Sequence, residues 1–184
     1  MTDSQKDQEI ITLLGRRSTE QAAFQLLYST YSKRLYWHIR RMVGNHEDAD
    51  DVLQDVLVKA WKAIKNFRGD SKLSTWLYRI ATNQTLTFLE KRSKRQTTSI
   101  DADENFIDEQ LRAETNIDGD EVTRKLASAI ETLPEKQRLV FNMRYYDELA
   151  YNEISEIVGT SVGGLKASFH HAVTKIEKFL TEND

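Results

Sequence analysis

Apolar residues recur at three- and four-residue steps through Phe24, Leu27, Tyr28, Tyr31, Leu35, Ile39 and Met42, which is the stripe of an amphipathic helix. Gly44-Asn45 ends it. The next stretch opens with Asp48, Asp50 and Asp51 and closes with Lys59, Lys62 and Lys65, so carboxylates sit at the positive end of the helix dipole and ammonium groups at the negative end. Val52, Val56, Ala60 and Ile64 supply its buried line. Asn66-Phe67-Arg68-Gly69-Asp70-Ser71 is a break. A further helix then runs from about Ser74 through Leu77, Ile80, Ala81, Leu86 and Leu89 into the basic run Lys91-Arg92-Ser93-Lys94-Arg95. This half therefore predicts three or four packed helices.

Near the other end, Val122, Leu126, Ile130 and Leu133 form a short apolar line, and Pro134 suits the first turn of a helix carried on by Leu139, Val140 and Met143. A short segment, Tyr151 to Val158, is followed by Gly159-Thr160, a capping Ser161, and a longer helix with Leu165, Phe169, Ala172, Val173, Ile176 and Phe179/Leu180 inward. Two helices joined by a glycine-containing turn of this length have the form of a helix-turn-helix, whose second helix can enter a major groove. An ordinary αα-hairpin has the same periodicity, so at this level both readings stand.

Length and composition narrow the class. With 184 residues the chain allows one ordinary domain or two small ones. No window approaches the ~18 consecutive apolar residues of a membrane span, and Met1 to Glu9 carries Asp3, Lys6, Asp7 and Glu9 with no secretory apolar stretch behind them. The expectation is a cytoplasmic protein that is not itself a membrane protein. Cysteine is absent, which removes disulfides, thiolate zinc sites and cysteine nucleophiles. One proline and seven glycines are too few for the turns of a sandwich or of repeated βαβ units, so the predicted fold class is all-α.

The net charge of −3 conceals an uneven distribution. Residues 1–99 hold 17 basic and 11 acidic side chains, residues 100–121 hold Arg112 against nine acids, and residues 122–184 hold 8 basic and 9 acidic. The middle block has few large apolar residues to offset its ordering entropy. The predicted organisation is two small helical domains, 1–99 and 122–184, joined by an acidic, flexible, self-repelling linker at 100–121.

Catalytic chemistry finds little support. His38, His46, His170 and His171 form no paired i, i+4 metal arrangement, and no glycine-rich phosphate loop is present; each histidine is expected at a surface or facing DNA. Asp48, Asp50 and Asp51 have a sufficient explanation in capping and dipole compensation, so neither a metal nor a cofactor is expected. Nucleic-acid binding has more in its favour. The helix from Ser74 to Arg95 interleaves Trp76, Tyr78, Arg79, Asn83 and Gln84 with an apolar face and ends in four basic side chains, combining stacking surfaces, amides and phosphate-neutralising groups. The helix from Val162 is thinly basic, with Lys166 and two histidines, which suggests DNA affinity borrowed from a larger assembly.

Three segments of the first half, Asp51-Val-Leu-Gln-Asp-Val-Leu-Val-Lys-Ala-Trp61, Asn66-Phe-Arg-Gly-Asp70 and Ser74-Thr-Trp-Leu-Tyr-Arg-Ile-Ala-Thr-Asn83, resemble region 2 of bacterial sigma factors of the extracytoplasmic function (ECF) class. Ile130-Glu-Thr-Leu-Pro-Glu-Lys-Gln-Arg138 and the run from Tyr151 to Lys166 resemble region 4 of the same class. The resemblance implies a dissociable subunit that joins core RNA polymerase through the β′ coiled coil and the β flap, recognises promoter DNA at the −10 and −35 elements, and opens it. It also implies control by an anti-sigma factor, often membrane-anchored.

By that resemblance, Asp51, Gln54, Asp55 and Val58 match the polymerase-docking positions, and their spacing puts them on one helical face. The loop Phe67, Arg68, Asp70, Ser71, Lys72 matches the segment that captures a flipped −10 base, with Trp76, Arg79 and Asn83 near the melted strand and Lys91 and Arg92 as further cations. A flipped base needs stacking and edge hydrogen bonds, and holding the exposed strand stabilises the open duplex. For the −35 element the matching reader residues are Lys166, Ala167, Ser168, His170 and His171, with the backbone of Val162, Gly163 and Gly164 at phosphate. Ala150 stands where a Ser or Thr cap is common, and Ser168 and His171 stand where arginine is common, so −35 binding is expected to rely on shape and polymerase tethering more than on guanine readout. Two competing readings remain: an autonomous helix-turn-helix regulator binding as a dimer, and a metal-dependent nucleic-acid enzyme.

Overall fold

The structure is a computed structural model that describes residues 3–14, 17–98 and 121–182. Among the described residues all regular structure is helical, as expected from the composition. The chain divides into two compact units, Met1–Glu90 and Lys91–Asp184. The acidic segment read as a linker lies outside the described residues, apart from Glu121, which opens a helix.

The first unit contains α1 (Asp3–Leu14), a 3-10 turn (Arg17–Thr19), α2 (Glu20–Val43), α3 (His46–Ala63), a second 3-10 turn (Ile64–Asn66) and most of α4 (Leu73–Thr98). α2 stops where Gly44 takes φ +94°, a left-handed conformation open to glycine, and its N–H closes on the Arg40 carbonyl at 3.0 Å. Asn45 then caps α3: its Oδ1 accepts from the Asp48 N–H at 2.8 Å, and its Nδ2 donates to the Asp48 carboxylate at 2.7 Å. Two successive residues thus end one helix and start the next, and α2 and α3 pack closely along their lengths.

The core of this unit is built from Ala23, Leu27, Tyr31, Leu35, Ile39 and Met42 of α2, Val52, Val56 and Ala60 of α3, Ile64 beyond it, and Leu77, Ala81 and Leu89 of α4. Several expectations change. Tyr28 is half exposed, because the α2 stripe turns away from the core there. His38 is fully buried rather than at the surface: its ring meets Tyr78 edge-on at 5.1 Å, and Nε2 lies 3.0 Å from the Thr82 hydroxyl. Tyr78 is therefore core and offers no stacking surface. α1 was not anticipated from the sequence; Ile10 anchors it in the core, and the Tyr31 hydroxyl donates to the Asp7 carboxylate.

The second unit contains α5 (Glu121–Glu131), α6 (Glu135–Tyr145), α7 (Tyr151–Val158) and α8 (Val162–Glu182). Its core gathers Ala129, Ile130, Leu133, Phe141, Ala172 and Ile176, with Leu126, Phe169, Val173, Phe179 and Leu180 packed around them. Val122, read as the start of the apolar line, is exposed at the beginning of α5. Pro134 sits one residue ahead of α6 and supplies the carbonyl that the Arg138 N–H reaches at 2.9 Å. Burial pulls the Arg138 guanidinium below its ordinary pKa, against the opposing pull of Glu135 and Glu131, and it remains a cation at any physiological pH.

Candidate nucleic-acid interface

Four of the singled-out side chains lie on the solvent side of α3. Val52, Val56 and Ala60 turn inward, which leaves Asp51, Gln54, Asp55 and Val58 exposed on the opposite face. Val58 is 51% exposed, and beside it Phe24, Leu57 and Trp61 line an open groove between α3 and the start of α2. The Phe24 and Trp61 rings meet edge-on at 5.0 Å across it. The result is an apolar strip with carboxylates at one end, a surface suited to protein docking.

Where α3 ends, the chain turns through Phe67 to Lys72. Gly69 makes this turn at φ +76° with open space around it, so the constraint there is backbone conformation and not packing. The turn places the Phe67 ring 5.5 Å from the Trp76 ring, and the Trp76 N–H reaches back to the Lys72 carbonyl at 3.1 Å. Both rings are half-buried, while Arg68, Asp70 and Lys72 are exposed and Ser71 is partly so.

On α4, Leu77, Ala81, Thr85 and Leu89 face inward, and Trp76, Arg79 and Asn83 share the other side with Phe67. Lys91 is exposed roughly 60° round the helix from Trp76. Arg92 lies roughly 160° away and is half-buried, continuing the inward side, so the structure does not bring it onto the Trp76 face. Gln84, read as an amide open to a ligand, accepts a hydrogen bond from Lys59 Nζ and ties α4 to α3.

In the second unit, α7 and α8 form the helix-turn-helix. Gly159 ends α7 at φ +71°, its N–H bonded to the Ser155 carbonyl at 2.9 Å. Ser161 caps α8, accepting from the Gly164 N–H at 3.2 Å. That bond takes one of the amides expected to meet phosphate; those of Val162 and Gly163 are not used by this cap. Leu165, Ala172 and Ile176 face the core, and Gly163, Lys166, Ala167 and His170 share an exposed face with His171 at its edge. Ser168 is half-buried to one side. Among the described residues no cluster of three or more His, Asp or Glu side chains is arranged to hold a metal ion, the acids at the start of α3 included.

Residues 27–95 match the model of Sigma-70 region 2, and residues 123–176 match that of Sigma-70 region 4. The chain is 32% identical to the ECF RNA polymerase sigma-E factor of Escherichia coli strain K12, over 96% of this chain and 95% of that relative. The chain belongs to the ECF class of RNA polymerase sigma factors. The sigma factor is also 31% identical to SigW of Bacillus subtilis, over 89% of this chain and 91% of the relative, and 31% identical to the sigma-H factor of Pseudomonas aeruginosa, over 98% and 96%. Its fold matches CnrH, solved with the cytosolic domain of CnrY, at a TM-score of 0.71 and 22% identity over 97% of this chain and 99% of that one. It also matches the sigma factor RpoE of Bartonella quintana, solved with the anti-sigma factor NepR, at a TM-score of 0.69 and 20% identity over 86% and 96%.

As a member of this class, the sigma factor is a dissociable subunit that directs core RNA polymerase to specific promoters and promotes DNA opening at initiation. The family is one of transcription initiation factors rather than enzymes. Among the described residues no helix is long and apolar enough to cross a membrane.

Two surface features escaped the sequence reading: the groove beside Val58, and the cations arranged around Tyr151. The groove joins residues from two helices whose relative rotation periodicity does not give. The second depends on a turn whose length alone does not say which side chains meet.

Proposed function

We propose that the three surfaces divide the work of initiation. The exposed face of α3, with Asp51, Gln54, Asp55, Val58 and the adjoining apolar groove, docks on the β′ coiled coil of core polymerase, while the second unit engages the β flap. The Phe67–Lys72 turn with Trp76, Arg79 and Asn83 holds the melted −10 strand, Lys91 adds phosphate neutralisation, and Arg92 contributes less because it faces inward. α8 lies at the −35 element, with Lys166, Ala167, His170 and His171 toward the groove, Ser168 at its margin, and Val162 to Gly164 near phosphate. The domains follow the same division: 1–99 for polymerase and −10 binding, 100–121 as a tether, 122–184 for −35 binding.

The observation that carries this reading is the exposed face centred on Val58, an apolar residue left in solvent where the family docks. The Phe67–Trp76 pair supports the −10 assignment, because two half-buried rings beside a glycine turn can accept an unstacked base. Control by an anti-sigma factor, in many family members membrane-anchored, is supported by the fold match to RpoE, solved with the anti-sigma factor NepR. The protein itself acts in the cytoplasm, without enzymatic activity and without a cofactor.

The deciding experiment is run-off transcription from genomic promoter fragments with core polymerase, with and without the protein, beside DNA binding in the absence of polymerase. Transcripts that require both components, with little binding by the protein alone, are expected. Tight, saturable binding without polymerase and no new transcripts would instead establish an autonomous regulator.

A further inference from the structure

We infer that the groove beside Val58 is a binding site for a small amphiphilic monocarboxylate, an apolar chain or ring with one anionic head, held by the Lys62 ammonium. Its apolar walls are Phe24 of α2 and Leu57, Val58 and Trp61 of α3, and it offers about 550 Å³, within the ~300–1,000 Å³ of small-molecule pockets. Phe24, Leu57 and Trp61 are half-buried, and the Phe24 and Trp61 rings brace each other edge-on at 5.0 Å, so the wall is fixed by its own packing. The polar lining comes from Ser18, Glu20, Gln21 and Lys62.

Charge selects the head group. Glu20 already receives the Lys65 ammonium, Nζ to Oε1 at 2.8 Å, so its charge is answered inside the protein. Lys62 is exposed and, among the described residues, has no carboxylate partner. An apolar slot with an unanswered cation at its edge is complementary to a molecule with one anionic head and an apolar body. A lone ammonium matches one carboxylate and leaves a doubly charged phosphate under-compensated. The acids of the same helix set the direction: Asp55 lies roughly 10 Å before Lys62 along the axis, so the head group is drawn to the Lys62 end and kept from the end that carries Asp51 and Asp55. Val58 is both a wall of this groove and the centre of the proposed polymerase-docking face, so an occupied groove excludes docking. That consequence, unlike the site itself, rests on the docking reading.

The test is equilibrium dialysis of the full chain, without polymerase, against decanoate below its micelle concentration. One molecule bound per chain is expected, with decan-1-ol and decyltrimethylammonium weaker by about fivefold or more. Lys62→Gln is expected to lower decanoate affinity about fivefold and to leave that for decan-1-ol unchanged, while Lys62→Arg keeps the affinity of the unsubstituted chain. Lys65→Gln strips Glu20 of its partner and should weaken decanoate binding as well, whereas Glu20→Gln should not. No saturable uptake, many molecules per chain, or an affinity indifferent to Lys62 overturns the inference. Decanoate is then added to the chain together with core polymerase, and loss of association in proportion to occupancy is expected. Lys62-dependent uptake that leaves polymerase association unchanged would remove the groove from the docking face and leave the site in place. Conversely, if Val58→Glu abolishes polymerase association while the unsubstituted chain takes up no decanoate, this inference falls alone.

Discussion

Ala150 precedes α7 in an extended conformation suited to a capping residue, yet a methyl group cannot accept the Glu153 N–H. Only half of a capping box forms, through Glu153 Oε2 on the Ala150 N–H. Ala150→Ser is therefore expected to raise stability by ~1 kcal/mol, read from denaturant unfolding of the full chain. Gly163 makes a second case. A Cβ there meets nothing within 4 Å, so Gly163→Ala gains helix propensity of up to ~1 kcal/mol. In the proposed placement of α8 the same methyl would stand between the helix and the DNA backbone, so the variant is expected to be more stable and to bind −35 DNA more weakly. Thr82→Val tests the buried polar contact: losing the hydroxyl beside His38 Nε2 leaves a desolvated ring nitrogen without that partner, at a cost of ~1–3 kcal/mol in unfolding.

At the scale of single helices, α3 divides most clearly. One side is fully committed to the core through Val52, Val56 and Ala60, and Asp51, Gln54, Asp55 and Val58 on the other are exposed. Substitution on that outer side should leave folding within ~0.5 kcal/mol. Val58→Glu is thus expected to lower affinity for core polymerase by roughly tenfold or more, as loss of a central apolar contact does, with an unchanged melting curve; equal loss of stability and binding would argue against a docking role. α4 is divided less cleanly. Its inward side includes Thr75, Thr82 and Thr85, whose hydroxyls lower the apolar contrast between faces, and the Thr85 hydroxyl donates to the Ala81 carbonyl at 2.8 Å. Hydrophobic periodicity alone therefore sees this helix poorly, although its aromatic and basic residues stand out.

For the molecule as a whole, the acidic segment between the two matched regions sets the most direct expectation. If the segment acts as the tether proposed above, neutralising its nine acids should weaken initiation more than core binding, measured by run-off transcription beside polymerase association. Equal loss of both would defeat that role.

The sequence by itself determined the helical class, the order of the two matched regions, the Gly44-Asn45 and Gly159-Ser161 junctions, and the outward face of α3. These are properties of spacing, capping and left-handed backbone positions, which act within a few residues. Only the tertiary structure decided which polar residues are enclosed. His38 enters the core because Tyr78 and Thr82 meet it from another helix, and α1 holds through Ile10 and the Asp7–Tyr31 contact, too little apolar pattern to be seen along the chain. It likewise turned Arg92 inward, tied Gln84 to Lys59, and brought Arg144 and Lys166 to one ring. Each of these depends on how one helix is rotated against the next, and that rotation is chosen by the sum of packing contacts across the interface.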